Sequence, residues 1–473
     1  MVVGDDDQSI YSWRGADPSN IINFRSHFPK AIEIRLEQNY RCTANIVKAA
    51  SEVIQNNKVR AVKKLWTENP SGELIDYIQE IDGESESWYV VDQLKQEKNR
   101  FAFTDVAIFY RTNSQSRALE ESLRRQNIPY QIYGSLRFYD RAEIKDVLAY
   151  IRLMTNDSDD VAFRRVCNVP TRGIGDKAVE NLAQFATERG LPLLKAAFLC
   201  VSQNTPKMAA KFQPFVTIIS ELRRRLNDTS LGGIVPLILE LSDYRRHLES
   251  KHAEEAKDKL ANVHELGAAL ADYEESHDKP SLSQWLQDIS LTGSEDESST
   301  GVSLMTLHSA KGLEFRRVYI VGVEDGLLPH LNSMDYAEDL EEERRLLYVG
   351  ITRAREKLSL LSARKRRVYQ NWMANPPSRF MSEIPKDLLS IFGAEEESSS
   401  QSSQPFSHSW ENAADIDSGS VVTHPAFGKG TVESIESEFG TKKAIVRFES
   451  FGLRKISVSQ LQNRESRYDY DLD

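Results

Sequence analysis

The 473-residue sequence is poor in cysteine, with only Cys42, Cys167 and Cys200, and it contains no CxxC pair. An odd, widely scattered set argues against both a disulfide framework and a zinc site. We interpret the three cysteines as buried thiols in a reducing compartment.

Long hydrophobic runs are also lacking. No stretch of about 18 apolar residues could span a bilayer. The first residues, "MVVGDDDQSI", are acidic where a secretory signal would be basic and then apolar. These absences predict a protein with no membrane segment, located in the cytoplasm.

An excess of positive charge is missing as well, since 60 Lys and Arg face 71 Asp and Glu, a formal net charge of -11. Phosphate backbones are bound by Lys and Arg, so this balance speaks against a nucleic-acid partner. Basic residues nevertheless cluster in "RFYDRAEIK" and "SARKRR". A local basic path therefore remains open.

The length predicts two to four domains, and the first 152 residues follow an α/β pattern. Short apolar runs predict strands at 32–36, 105–112 and 130–135. Spacings of three and four predict helices at 43–57 and 114–127. Helical periodicity alone continues from 153 to 295, and strands return at 302–308, 316–323 and 358–363. We therefore predict an α/β domain of parallel strands interrupted by an all-helical insertion.

The C-terminal part has a different composition. From 394 to 420 there is no Lys or Arg, and Ser, Glu and Gln dominate, which is typical of a disordered linker. We place this linker at 389–419. The alternation and glycine-containing turns that follow predict a small antiparallel barrel at 420–465.

Four short motifs carry the chemistry. In "GDDDQSIYSWRGAD", Gln8 can sense a phosphate while Tyr11, Trp13 and Arg14 can stack on bases, although a solvent loop with a half-buried Trp explains the pattern equally well. In "LEQNYRCT", Tyr40 could stack on a base and Arg41 could reach a terminal phosphate, or Arg41 could be an ordinary surface charge.

The other two motifs lie near the end of the α/β region. "MTLHSAKGLEF" brings His308, Lys311 and Glu314 to a glycine-containing turn, which could approach phosphates and a ribose or could be a plain connection. In "EEERRLLYVGITRAREKL", a helix is predicted across 338–358. On that helix Arg353 projects away from the apolar stripe and is free to serve a ligand.

In this order the four motifs resemble those of the superfamily 1 DNA helicases of the PcrA, UvrD and Rep type. "GDDDQSIYSWRGAD", "EQNYR", "TLHSAKGLEF" and "YVGITRA" look like helicase motifs III, IV, V and VI, and "YGSLRFYDRAEIKDVLAYIRL" and "NVPTRGIG" are similar too. The resemblance covers residues 2 to about 385. It implies a remnant of a first RecA-like domain at 1–41, a second RecA-like domain at 42–152 and 296–388, and a Tudor-like (SH3-like) barrel at the C-terminus.

The resemblance also implies roles. The catalytic set would be Gln8, Arg41 and Arg353, of which the two arginines would act as arginine fingers. ATP would be bound by Gln8, Tyr40, Arg41, Glu314 and Arg353. DNA would be bound by Tyr11, Trp13, Arg14, His308, Lys311, Gly173 and Gly175, the two glycines at duplex phosphates, although an ordinary helix cap explains them almost as well.

One further absence bears on the ATP-binding role that the resemblance implies. The chain has no GxxxxGK[ST] phosphate loop, because "AFGKGT" lacks the upstream glycine and the strand-to-helix setting. Most ligands of ATP phosphates and Mg²⁺ would then come from a first RecA-like domain outside this chain, through a truncated gene model or a split gene.

We therefore expect the C-terminal part of an ATP-dependent 3′-to-5′ DNA helicase that is inactive as an ATPase by itself. It would act on single-stranded DNA and junctions in repair or replication, with RNA polymerase or repair proteins as candidate partners of the barrel and no metal site of its own. The alternative is a non-catalytic adaptor that binds DNA or a polymerase.

Overall fold

The computed structural model describes residues 1–12, 15–205, 207–251, 253–291, 300–368, 371–393, 419–424, 428–438, 441–448, 452–457 and 462–463. The chain divides into two compact units, Met1–Ala394 and Glu395–Asp473. Trp13 and Arg14, together with most of the segment assigned as a linker, lie outside the described residues.

The first unit is built on an eight-stranded sheet. Its order is β3-β4-β2-β5-β6-β1-β8; neighbours along this path are parallel, and β7 pairs antiparallel with the end of β6. The strands are β1 (Ile75–Asp82), β2 (Val106–Tyr110), β3 (Tyr130–Tyr133), β4 (Val302–Thr306), β5 (Phe315–Ile320), β6 (Ala354–Val368), β7 (Asn371–Ala374) and β8 (Leu389–Phe392).

Helices cover both faces of this sheet, which is why the central strand β2 reads VAIFY with all five residues buried. Ile46 and Val53 on one helix join Leu347 on another in the core of one face, and Val90 and Leu119 lie in the core of the other. The helices of this unit's α/β part and its N-terminal segment are α1 (Ser19–Ile22), α2 (Phe24–His27), α3 (Ala44–Ile54), α4 (Gly83–Gln96) and α5 (Ser116–Arg125).

A helical region is inserted between β3 and β4 and has its own apolar core. Phe163, Phe212 and Phe215 are fully buried in it. Its helices are α6 (Ala142–Thr155), α7 (Asp160–Val166), α8 (Asp176–Thr187), α9 (Leu193–Ser202), α10 (Met208–Leu226), α11 (Ile234–Leu241), α12 (Tyr244–Lys251), α13 (Ala253–Ser276) and α14 (Leu282–Leu291). Residue 153, where the sequence suggested the insertion begins, lies inside α6, whose buried face belongs to this core.

The chain then returns to the sheet through β4 and β5, followed by α15 (Ala337–Ile351). Gly350 lets α15 lie close against the sheet, because an added Cβ would collide with Leu307 and would lie 3.0 Å from the Ile320 side chain. This close approach brings the C-terminal end of α15 beside the connection between β4 and β5.

The second unit contains a five-stranded antiparallel sheet in the order β12-β11-β10-β9-β13. Its strands are β9 (Val421–His424), β10 (Gly428–Glu438), β11 (Thr441–Phe448), β12 (Gly452–Ser457) and β13 (Gln462–Asn463). Val422, Val432, Ala444 and Val446 are its buried apolar residues among those described. Antiparallel strands were expected here, and no pairing closes them into a barrel within the described residues.

Three expectations from the sequence were wrong. Residues 32–36 are not a strand; Ile32, Ile34 and Leu36 are exposed and no sheet neighbour pairs with them. The last predicted helix ends at Ile351, and Ala354 already starts β6. Leu389–Phe392 are not linker, because they form β8 alongside β1.

Among the described helices, none combines the length and the apolar character needed to cross a membrane.

Candidate nucleotide and nucleic-acid site

The acidic turn at the start of the chain is held by two cations. Lys63 Nζ lies 2.5 Å from Asp5 Oδ1, 2.6 Å from Asp6 Oδ1 and 3.1 Å from Asp7 Oδ2. Arg60 pairs with both carboxylate oxygens of Asp7 at 3.1 and 2.8 Å. Asp6 and Asp7 are buried, so this cluster fixes the N-terminal segment to the loop before β1.

The same three aspartates bring ligand atoms within 4.8 Å of one another, the spacing of a candidate metal site. Lys63 contacts all three carboxylates and Arg60 takes both oxygens of Asp7. The negative charge is thus already balanced within the chain. In this arrangement the residues do not fit a divalent cation.

Gln8 follows this turn, and both its side chain and its backbone carbonyl are hydrogen-bonded. Its side-chain Nε2 donates to Asp5 Oδ2 at 2.6 Å, and its backbone carbonyl accepts from Lys311 Nζ at 2.9 Å. Lys311 also lies 5.5 Å from the centre of the Tyr11 ring. The Tyr11 hydroxyl donates to the His308 carbonyl at 3.0 Å. The structure therefore brings Gln8, Tyr11, His308 and Lys311 together at the turn after β4.

Arg41 lies against the residues that end α15. Its Nε donates to Glu314 Oε2 at 2.7 Å, and Nη1 donates to the Thr352 carbonyl at 3.2 Å. Asn39 shapes the backbone here by accepting hydrogen bonds from the N–H groups of Arg41 and Cys42. The hydrogen bond from Arg41 lowers the pKa of Glu314.

Arg353 occupies the turn between α15 and β6 and is buried, which corrects the expectation that it projects freely from a helix. Its guanidinium donates to the carbonyls of Val349 and Leu313 and to the Thr352 hydroxyl, at 3.0 to 3.3 Å. No carboxylate of the described residues lies within 4.0 Å of it. Burial, together with the nearby Arg41 cation, lowers the pKa of Arg353 to about 10.

Arg41 and Arg353 thus meet at Thr352, one bonding its carbonyl and the other its hydroxyl. Gln8 bonds Asp5 and Lys311, and among the described residues it makes no hydrogen bond with either arginine. Burial first, and then the charges of Asp5 and Asp7, raise the pKa of Tyr348, while the Arg353 cation opposes that rise. Tyr348 is therefore subject to the charges of both the acidic turn and Arg353.

The remaining residues expected to bind ATP or DNA lie outside these two clusters. Tyr40 is exposed, and its hydroxyl donates to Gln38 Oε1 at 2.7 Å. Gly173 and Gly175 lie in the helical region, between α7 and α8. Cys42 is buried with its thiol 3.4 Å from the Thr352 carbonyl, and Thr43 precedes the first residue of α3.

Sequence reasoning missed the residues that hold the site together. Lys63 and Arg60 were not singled out, and neither was Arg345, whose Nε donates to the Ser9 carbonyl at 2.8 Å. The available signal was the DDD triplet itself, since buried carboxylates require a cation. The sequence alone does not say which of 60 basic residues provides it.

Comparison with known proteins places these residues in a family. Residues 34–365 match the family described as the UvrD-like helicase C-terminal domain, and residues 1–29 match the UvrD/REP helicase N-terminal domain. A crystal structure of the C-terminal domain of a possible DNA helicase from Lactobacillus is similar over 75% of this chain and 98% of that one, at 12% identity. Its TM-score of 0.30 is too low to support an argument.

Curated relatives share much more of the sequence. The ATP-dependent DNA helicase PcrA of Staphylococcus epidermidis (strain ATCC 12228 / FDA PCI 1200) is 40% identical over 96% of this chain. The protein of that name from Staphylococcus aureus (strain Mu50 / ATCC 700699) is 38% identical over the same share. This chain spans 65% of the length of these relatives. The first family match extends over most of the chain, and the chain therefore belongs to the UvrD-like helicase C-terminal domain family.

Proposed function

We propose that this chain acts as the C-terminal part of an ATP-dependent DNA helicase that moves 3′ to 5′ along single-stranded DNA and unwinds duplex. The observation that carries the proposal is the meeting of Arg41 and Arg353 at Thr352, where Arg353 is buried without a carboxylate partner among the described residues. A buried, unbalanced guanidinium favours an anionic ligand.

In this proposal the anion is the terminal phosphate of ATP. Arg41 and Arg353 act as arginine fingers that stabilise the charge on the transferred phosphoryl group. Tyr40, exposed at the rim, stacks on adenine. Glu314 forms ion pairs with Arg41 and Arg355 in this structure. In the proposal it gives up part of these contacts to bind the ribose.

The DNA strand is proposed to cross the turn where Tyr11, His308 and Lys311 meet, together with Trp13 and Arg14. Gln8 connects the two sites, because its side chain bonds the acidic turn and its carbonyl bonds Lys311. Through Gln8, a change at the nucleotide would then reach Lys311, a side chain that is proposed to contact DNA.

The chain contains no GxxxxGK[ST] loop, so the phosphate loop and the Mg²⁺ ligands of the proposed motor come from a lobe outside these residues. By itself the chain is then not an ATPase. ATP closes that lobe on residues 42–152 and 296–388, which form a second RecA-like domain, and residues 1–41 belong with the first.

The other regions have accessory roles in this proposal. The helical insertion, assigned to 153–295, meets the duplex through Gly173 and Gly175. Residues 420–465 form a Tudor-like barrel that docks RNA polymerase or repair proteins, and the motor works on DNA in the cytoplasm in repair or replication.

Replacing Lys311 tests the strand-binding part of the proposal. Removing one phosphate contact to a single strand lowers the magnitude of the salt slope by about 0.7, which corresponds to about fivefold weaker binding at 0.1 M salt. For Lys311→Ala we expect this change in fluorescence anisotropy of a labelled oligodeoxythymidine. The exposed Lys98 offers a control, and Lys98→Ala should leave affinity and slope unchanged. Equal effects of both variants, or none, would remove Lys311 from the DNA site.

A further inference from the structure

The loop between α7 and α8 is shaped by one carboxamide. Asn168 Oδ1 accepts hydrogen bonds from the backbone N–H of Arg172 at 2.7 Å and of Ile174 at 3.1 Å. Ile174 is buried, and Gly173 adopts a left-handed φ of +75° that favours glycine. The 168–175 loop therefore has a defined turn, closed by the side chain of its first residue, Asn168.

Arg172 lies beneath this turn. Its Nη1 donates to the carbonyls of Val166 at 3.2 Å and Pro170 at 3.1 Å. Its Nη2 donates to the Tyr150 hydroxyl at 2.7 Å and the Ser242 carbonyl at 3.1 Å. The Tyr150 hydroxyl in turn donates to the Val169 carbonyl at 2.7 Å, so both groups bind loop backbone.

The acceptors around Arg172 explain why the cation is tolerated there. Val166 is the last residue of α7, and Ser242 directly follows α11. The C-terminal ends of helices carry partial negative charge, which a guanidinium matches. Within the described residues no carboxylate lies within 4.0 Å of Arg172. The side chain is thus committed to backbone, not to an ion pair.

The two glycines of the loop face solvent, and the bond to them from a described side chain is that of Lys211 Nζ to the Gly173 carbonyl, at 3.4 Å. Gly173 and Gly175 are exposed, and a Cβ added at either would meet nothing within 4 Å. Among the described residues, no acceptor is found for the backbone N–H of either glycine. Arg172 and Asn168 organise the loop and leave these N–H groups without an acceptor among the described residues.

We propose that Arg172 is a positioning residue that holds the 168–175 loop in the shape with which it binds duplex DNA, and that Asn168 completes this support. The inference rests on the proposed contact of Gly173 and Gly175 with duplex phosphates. Arg172 itself does not touch DNA. Its loss should loosen the loop and weaken duplex binding while leaving single-strand binding intact.

Two readouts on the 473-residue chain test this. In Arg172→Gln, hydrogen exchange of the Ile174 amide should accelerate at least tenfold, and affinity for a blunt duplex should fall about tenfold, the equivalent of about one lost hydrogen bond. Affinity for oligodeoxythymidine should change less than twofold. Arg164→Gln removes an exposed cation from α7 without touching these bonds and should match the parent chain.

Arg172→Lys guards against a variant that does not fold. It keeps the charge but cannot provide the planar fork, so its duplex affinity should stay close to that of Arg172→Gln. Unchanged Ile174 exchange in both variants would overturn the inference. Faster exchange with parent-like duplex affinity would overturn it as well.

Gly175→Ala separates this inference from the proposed function. Its methyl group would stand in open space at a φ of -83°, so the loop should keep its shape while a phosphate is excluded. If Gly175→Ala leaves duplex affinity unchanged, the proposed duplex contact fails, and the inference fails with it. If Gly175→Ala weakens duplex binding and Arg172→Gln does not, only the inference fails.

Discussion

Arg353→Ala is expected to lower the rate of ATP hydrolysis about a thousandfold once this chain is joined to a lobe that carries a GxxxxGK[ST] loop. The lobe can be taken from a relative whose sequence contains that loop and fused ahead of Met1. The buried guanidinium donates to the backbone carbonyls of Val349 and Leu313 and to the Thr352 hydroxyl, so its position is fixed by three hydrogen bonds that alanine cannot make. Steady-state phosphate release with saturating single-stranded DNA measures the effect.

Although Arg353→Ala should lose most of its hydrolysis rate, we do not expect a comparable loss of folding stability. Burial and the neighbouring Arg41 depress the pKa of Arg353, so below a pH of about 10 the cation costs folding free energy. Removing it relieves that cost and offsets the lost hydrogen bonds. We expect the Tm of Arg353→Ala to stay close to that of the parent chain.

Arg355→Ala is the matched control. Arg355 lies two residues along, is half exposed, and its Nη1 is 3.5 Å from Glu314. If the local positive charge were all that mattered, Arg355→Ala would slow hydrolysis as much as Arg353→Ala. We expect Arg355→Ala to slow hydrolysis less than about threefold, since a screened surface charge contributes little. Equal losses would contradict a specific role for Arg353.

Lys63→Met is expected to reduce the free energy of unfolding by about 3 kcal/mol, because removing one partner leaves buried carboxylates without their cation. Lys63 contacts all three aspartates of the acidic turn, and Arg60 compensates only Asp7. Urea unfolding at pH 7 measures the loss. Lys64→Met, at the exposed neighbouring position, should change stability by less than about 0.5 kcal/mol.

The stabilisation that the cluster of Lys63 and the aspartates provides should depend on pH. Burial would raise the pKa of Asp6, but hydrogen bonds from Lys63 and the Ala61 N–H outweigh it and lower the pKa below 3.8. Burial would lower the pKa of Lys63, but the aspartates raise it to about 12. The cluster therefore stabilises the parent chain fully from about pH 4 to 10.5, and the stabilisation is lost beyond either end.

In Lys63→Met, lowering the pH should instead favour the folded state. Carboxylates buried without a cation titrate at a raised pKa, so protonating them favours the folded state. The variant should become more stable relative to its parent between pH 7 and pH 5. A gap that stays constant over this range would show that Lys63 acts by packing and not by charge.

Local patterns predicted much of the fold because several elements are determined by their own residues. β2, β4 and β5 contain buried apolar runs, β3 buries Tyr130, and α3 and α5 have spaced apolar faces that match their sequence pattern. Residues 32–36 have the same appearance, yet a strand needs a hydrogen-bonded neighbour. No neighbour occurs among the described residues, so the segment forms no strand and its apolar side chains stay exposed.

The end of α15 shows a second limit of local patterns. Ile351, Ala354 and Leu358 have helical spacing, and the same residues can equally be buried along a turn and a strand. Only packing against β5 and β1 decides between the two. This choice moved Arg353 from an exposed helix face into a buried turn, which no residue spacing could predict.

The candidate site shows the same division. The motifs identified Gln8, Arg41, Glu314, His308, Lys311 and Arg353, and the structure brings these residues into two adjoining clusters. Lys63 is 58 positions from Asp5 and lies in a loop without a motif. Such long-range ion pairs depend on the folded topology, so sequence reasoning could not assign them.

The central claim is that this chain contributes the arginines of an ATPase whose phosphate loop lies on another lobe. Phosphate release with Mg²⁺, ATP and single-stranded DNA tests it most directly on three samples: the chain alone, the lobe alone, and the two joined. We predict negligible hydrolysis by the chain, slow hydrolysis by the lobe, and an increase of at least a hundredfold on joining that requires Arg353. Robust hydrolysis by the pure chain, abolished by Arg353→Ala, would contradict the account.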